Sequence, residues 1–542
     1  MRNTCRFWLP LFVLGIATTT VSAQSFRVQC PTSTITHPNA ATAEPPYAGP
    51  TYSGTNGYPS APTNVNGAIK CQQISGGDGF STMGDGTQTY MFSFGPLSGL
   101  ADIANGLPGT EFPDIFNSVY TGPALQPGDP ATTDGASGTG PYLQGTLGGF
   151  SYNGAIGQVV DADAKAAGLC GGTGQPSCID GHVDPRQIMD VGVMNGNIPA
   201  PLMAIDEDDE FFLTLTNVGM IMRPDLFEQH TVHFHGYPNA SSFYDGVPDA
   251  SVAINIGASF TYYYMAPDAG TYFWHCHITP PEHLQMGMVG QLYVRPRQNR
   301  WVGDLYTGLQ KQQLDLRTAC DSATAVHSAT DVLCSNPLPA VNTNASNDGT
   351  KKYAYNDGDG STAYDIEYPI QIHGFDPNFH FVGMTFNPEG FADMKDKYFL
   401  LNGRSYPDTV TAGPLATQTT DGAMHYAQPL NAIINIPAGK KALLRISDLD
   451  VTEYQTLASL GIPMTVIGYN AKLLRDQEGN NMYYNTNSIT LAGGESLDLI
   501  LDASDTTKYV PGQVFYLYTP NLDHLSNDAE NFGGLMTEVR IN

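Results

Sequence analysis

Positive charge is what this 542-residue chain has least of. It carries 24 Lys and Arg against 52 Asp and Glu, a formal net charge of −28. No basic face can be assembled from that balance, so phosphate-backbone contact is excluded and nucleic acid is not a partner. A cationic substrate or a metal ion is favoured instead. Charged residues of either sign make up only 14% of the chain, and long Ala/Leu/Glu/Lys stretches of helical character are hard to find. No nucleotide-binding loop and no short-period repeat occurs. Beyond the first 23 residues no apolar run is long enough to cross a bilayer, which predicts a mature form without a membrane span.

Turn formers and aromatics are plentiful: 58 Gly, 38 Pro, 29 Tyr and 24 Phe. Short strand-like runs recur between them, such as Thr89–Phe94, Pro201–Ile205, Glu210–Asn217, Ala432–Ile436, Ala442–Ile446 and Leu497–Leu501. Short strands punctuated by turns predict an all-β chain of Greek-key sandwich or barrel domains with long loop insertions. Residues 1–23 read as a secretory signal, with Arg2 and Arg6 ahead of the apolar run Phe7 to Ala17 and small residues Val21-Ser22-Ala23 at the cleavage positions. Residues 24–67 read as an extended arm. A first domain is expected over 68–296, with an insertion over about 96–185. Residues 297–364 read as an irregular linker, and 365–542 as a second β domain.

The signal predicts a secreted or periplasmic protein, and cysteine parity agrees. Cys5 leaves with the signal, and Cys30, Cys71, Cys170, Cys178, Cys276, Cys320 and Cys334 remain. An oxidising compartment pairs six of these. Cys170 with Cys178 and Cys320 with Cys334 close small loops, and Cys30 with Cys71 would be the remaining pair; other connectivities stay open. The residue left over is Cys276.

Six of the 13 histidines lie within residues 230–283. His230, His233 and His235 form one cluster. His275-Cys276-His277, then His283 and Met288, form the other. In a strand, residues i and i+2 point one way and i+1 the other. His275 and His277 should therefore face one side and the Cys276 thiolate the opposite side. His233 and His235 should do the same about Phe234. Two such strands side by side would gather four imidazoles on one face. Behind them, Cys276 could meet His230, His283 and Met288. Two imidazoles, one thiolate and a weak axial thioether suit copper. Zinc accepts His and Cys, but Met is a poor zinc ligand. Met286 is the alternative axial residue.

These residues resemble the multicopper oxidase family and its cupredoxin relatives, strongly over about 186–296 and moderately over 365–542. The resemblance implies two cupredoxin-like domains, the second without copper. It implies a type 1 copper on His230, Cys276, His283 and Met288, and type 2/type 3 copper on His233, His235, His275 and His277. The implied activity takes electrons from a phenol or a metal ion and passes them through Cys276, His275 and His277 to oxygen. Glu282, beside His283, leans towards a metal-ion donor. A full trinuclear cluster in that family takes eight histidines, and one domain's worth is present here. The set is completed by another subunit, as in a homo-oligomer or with a partner chain, or it is absent. A second resemblance is to copper nitrite reductases, in which His235 and His275 would share a type 2 copper with a histidine from a neighbouring chain. His524 is the candidate for that donor. A third possibility is a non-enzymatic copper-binding electron-transfer protein.

Overall fold

The computed structural model describes residues 30–38, 66–104, 106–117, 165–169, 172–173, 195–220, 222–223, 225–237, 242–266, 268–314, 336–383, 390–418 and 424–542. The signal segment, most of the arm, most of 96–185 and Cys170, Cys178, Cys320 and Cys334 lie outside them. The described residues are built from two β-sandwich units, as the all-β expectation required.

In the first unit, strands β1 (Ile69–Thr82), β2 (Gln88–Pro96), β4 (Glu210–Gly219) and β6 (Ser259–Met265) form one sheet in the order β2-β1-β4-β6. Strands β3 (Met203–Asp206), β5 (His233–Phe234), β7 (Gly270–His275) and β8 (Val289–Arg295) form the other, in the order β3-β8-β7-β5. β1 runs parallel to β4 and β3 parallel to β8, so the chain crosses between sheets, as a Greek key does. Strand alternation fills the space between them: Phe211, Leu213 and Leu215 of β4 and Phe260, Tyr262 and Tyr264 of β6 enter one core with Trp274 and Cys276. Each fully buried large apolar side chain contributes roughly 1.5–3 kcal/mol. The arm is pinned by a Cys30–Cys71 disulfide and by His37 Nδ1, 2.7 Å from Glu210 Oε2.

The second unit contains a seven-stranded sheet in which β9 (Ile366–Phe375), β10 (Lys441–Asp448) and β11 (Ser496–Asp502) are neighbours, and a five-stranded sheet across its core. It covers the outer face of β7 and β8, which explains why polar Thr271 and Gln291 are buried there. Thr271 Oγ1 donates to Asp498 Oδ1 at 2.6 Å, Ser496 Oγ to the Thr271 carbonyl at 2.6 Å, and Gln291 Nε2 to the Arg445 carbonyl at 2.9 Å. The stretch after β8 is irregular yet packed: Arg297, Gln298, Asn299 and Arg300 are buried, with Arg297 paired to Asp208. Among the described residues no helix is long and apolar enough to cross a membrane.

Candidate metal centre

β5 and β7 pair antiparallel, with His233 opposite His275 and Phe234 opposite Trp274. The pleat sends Phe234, Trp274 and Cys276 into the core and leaves His233, His275 and His277 grouped apart from them. The expected separation of the two faces is therefore present.

The Cys276 locus is closed. After His277 the chain passes through Thr279, in the left-handed region at φ 38°, into a short helix, Pro280–Gln285, that turns His283 back. Its Nδ1 lies 3.2 Å from Cys276 Sγ, and His230 Nδ1 lies 4.0 Å from the same sulfur. All three residues are fully buried. His230 is held by a two-way backbone bridge to Ile254. Room for its ring comes from Gly76, where a Cβ would come 2.6 Å from His230 Cδ2. The Thr231 amide donates to Cys276 Sγ at 3.4 Å, and the Cys276 amide to the Met288 carbonyl at 3.1 Å. Met288 is fully buried in this core. Met286 instead leans on Gly383 of the second unit, where a Cβ would collide with its Cε.

Burial holds His230 well below its ordinary value. Burial acts the same way on His283, but the Cys276 sulfur and Glu228 outweigh it and push His283 up to about 9. Glu228 Oε2 stands 3.5 Å from His283 Nε2 and is held below the usual carboxylate range by that histidine. The donor set passes a simple test of fit. Two Nδ1 atoms converge on one sulfur, and the buried His230 Nε2 has no hydrogen-bond partner among the described residues. Such a site suits copper through its soft sulfur and imidazole nitrogen.

The second locus is more open: His233 and His277 are half-buried and His235 is exposed. His233, His275 and His277 bring one nitrogen each within 4.8 Å of the others. Backbone carbonyls set the tautomers. His233 Nδ1 donates to the Asp245 carbonyl at 2.6 Å, His275 Nδ1 to the Cys276 carbonyl at 2.7 Å, and His235 Nδ1 to the Gly494 carbonyl at 3.2 Å. Each Nε2 is thus left as a bare lone pair, the orientation that outer hydrogen bonds give to metal-binding histidines. Two of these, on His235 and His275, face each other at 3.1 Å. Burial lowers His233 and, more strongly, His275, which keeps them neutral and able to ligate.

The second unit supplies no histidine to either locus among the described side chains. His524, the candidate inter-chain donor, is engaged within its own unit. Its Nδ1 lies 3.0 Å from Gln455 Oε1 and its Nε2 2.9 Å from Glu453 Oε2, and its ring stacks on Phe399 at 3.7 Å. Both ring nitrogens are consumed inside its own unit. Gly494, Glu228 and the Thr231 amide escaped the sequence reading. Glu228 had one signal, its position two residues ahead of His230. The Gly494 carbonyl had none.

Residues 179–299 match the family model described as multicopper oxidase. This stretch holds all eight residues of the two loci. The chain is 34% identical over 109 residues to laccase abr2 of Aspergillus fumigatus, covering 20% of this chain and 17% of that protein. It is also 34% identical over 109 residues to a copper-containing nitrite reductase of Rhizobium meliloti, covering 19% of this chain and 26% of that one. The chain thus spans about a sixth to a quarter of the curated relatives it matches. Among solved structures, a blue copper oxidase from Nitrosomonas europaea aligns with a TM-score of 0.41 at 21% identity, over 64% of this chain and 78% of that one.

Proposed function

We propose that the protein is an exported, copper-dependent oxidoreductase of the multicopper oxidase type, taking electrons from a phenol or metal-ion donor and delivering them to oxygen. Copper, when bound, supplies one-electron redox chemistry at both loci. Cys276, His230 and His283 would hold the copper of the type 1 locus, with Met288 as the thioether donor; Met286 packs against Gly383 instead. Glu228 is a quarter exposed and faces His283 Nε2, so it gives the buried imidazole a polar link to the surface. A phenolic donor could leave its proton there, and a cationic donor would be attracted to it. His233, His235, His275 and His277 would hold the copper of the type 2/type 3 locus, whose chemistry would be transfer of the electrons to oxygen. An extracytoplasmic setting is supported by the Cys30–Cys71 disulfide, with Cys276 kept as a free thiol.

The observation that carries this reading is the join between the loci. Cys276 and His275 are consecutive, and His275 Nδ1 also hydrogen-bonds the Cys276 carbonyl. The sulfur is therefore linked to the second locus by a covalent step and a hydrogen-bonded one. The test is copper content, visible spectrum and oxygen uptake on the same sample. Copper-loaded protein that is blue and consumes oxygen with a phenol or Fe(II) supports the proposal. Loaded protein that is blue but takes up no oxygen with any donor sinks it. Nitrite reduction is the second reading, favoured by the similarity to the Rhizobium meliloti protein. Nitrite-dependent reoxidation of the reduced blue centre would select it.

A further inference from the structure

The helix that carries His283 is held from the second unit through one fully buried residue, Gln285. Its Nε2 donates to Asp396 Oδ1 at 2.9 Å, its Oε1 accepts from the Asp376 amide at 3.0 Å, and its carbonyl lies 2.9 Å from His380 Nε2. Behind Asp396 stands a second buried carboxyl, Asp450. A Cβ placed on Gly374 of β9 would come within 2.6 Å of Oδ2 of both. Among the described residues no lysine or arginine side chain pairs with either. Of the other ionisable groups here, Asp376 adds a like charge, burial favours the neutral forms of His373 and Asp448, and His524 is paired with Glu453.

The Thr452 hydroxyl sits between the two carboxyls. Its Oγ1 is hydrogen-bonded to Asp396 Oδ2 and lies 3.1 Å from Asp450 Oδ1. A hydroxyl has one proton to donate, and otherwise only accepts. It cannot donate to two carboxylates at once, so one of the pair must donate to it. Asp450 is the better-solvated anion. Its Oδ1 also accepts from the Thr452 amide at 2.7 Å and the Glu453 amide at 3.1 Å, and its Oδ2 from Gln455 Nε2 at 2.7 Å. Asp396 has one amide donor, Gln285. The proton therefore belongs on Asp396, which donates to Thr452, which donates to Asp450. Burial first, then the Asp450 charge, hold the Asp396 carboxyl well above the usual range.

We propose that Asp396 is a positioning residue for the type 1 locus: a carboxyl kept protonated at neutral pH that ties Gln285, and with it the end of the His283 helix, to Thr452 and Asp450. This rests on reading the Cys276 locus as a copper site. Ionising Asp396 would leave two carboxylates on one hydroxyl, so the tie weakens as pH rises. Folding takes up one proton here, because the unfolded carboxyl has lost its proton above its ordinary value of 3.8. The stability that Asp396 contributes is thus complete below that value and is lost as pH rises towards the folded one.

The experiment uses the full-length chain loaded with Cu(II), read by its blue band, its reduction potential, its infrared spectrum and its urea unfolding against pH. Asp396→Asn keeps a donor for Thr452 and an acceptor for Gln285. It should leave the blue band in place, lose one carboxylic acid C=O band, and remove one proton from the pH slope, about tenfold in the unfolding constant per pH unit. Asp396→Leu keeps neither partner and should shift the blue band and the potential. Thr452→Val should shift both as well, which covers the case of an unfolded Leu variant. Asp396→Asn with the wild-type infrared bands and pH slope would overturn the proposal. So would a folded Thr452→Val or Asp396→Leu with the wild-type band and potential, or an Asp396→Asn that moves the band as far as Asp396→Leu. Failure of the copper reading looks different: the wild-type protein takes no blue colour, while the infrared band still decides whether Asp396 carries a proton.

Discussion

His275 and Cys276 are neighbours in the chain, yet the loci they serve are built from different depths of the molecule. His230, Cys276 and His283 are fully buried, and their closest supports, Gly76, Thr231 and Ile254, come from the same unit. The imidazole locus is half-open and borrows the Gly494 carbonyl from the other unit. A buried thiolate site excludes solvent and holds its geometry with little reorganisation. An open site at a seam between two units gives a small molecule access and is tuned by how those units pack.

The largest test of that contrast is Cys276→Ser. It should abolish the blue absorption and lower donor oxidation more than 100-fold, roughly 3 kcal/mol or more of barrier, while the imidazole locus keeps its ion. A variant that stayed blue would break the assignment of both loci. Next is the paired change Cys30→Ala with Cys71→Ala. The disulfide closes 41 residues, which the chain-entropy account values at about 4 kcal/mol. Urea midpoints should fall accordingly, with both loci still metal-loaded in the folded protein.

Gly494→Ala acts on the open locus alone. Gly494 has φ +90°, and a Cβ there would come 2.7 Å from His235 Cε1. Metal affinity at the imidazoles should drop about tenfold, the low end for losing an outer partner, and the blue spectrum should not move. Competition with a chelator measures both at once.

The seam between units gives a pH test. His380 stacks on Phe375 and reaches the carbonyls of Tyr90 and Gln285 across that seam. Burial lowers it from 6.5 to about 3, against the two carbonyls. A histidine kept neutral in the fold takes up its proton more readily when unfolded. Its stabilising effect is therefore complete above pH ~6.5 and is lost as pH falls towards 3, at up to about 1.4 kcal/mol per pH unit. His380→Gln should flatten the acid limb of stability against pH. The smallest expected effect is Glu228→Gln, a severalfold slowing of donor oxidation of the order expected from losing one partly exposed ion pair. Steady-state kinetics with a phenol and with Fe(II) would show which donor depends on it.

Much of the metal chemistry was legible in the chain alone, because strand alternation is local. His-Cys-His separates imidazoles from thiolate wherever a strand forms, and His233 does lie opposite His275. The leftover cysteine was correctly singled out as Cys276, which is buried and free. The spacing also pointed to His283, which a short helix turns back to within 3.2 Å of the Cys276 sulfur. The surroundings of His524 were not legible, because a histidine near a chain end carries no sign of its neighbours and only folding puts Gln455, Glu453 and Phe399 around it.

The sequence by itself determined the donor types, their order, and the all-β pattern that sets them on opposite faces. Those follow from side-chain chemistry and a two-residue period. Tertiary structure alone decided that Met286 meets Gly383, that Gly494 orients His235, and that the second unit buries the outer face of β7 and β8 while, among the described residues, adding no histidine to either locus. Those are contacts between residues about a hundred or more positions apart, and no local period encodes them.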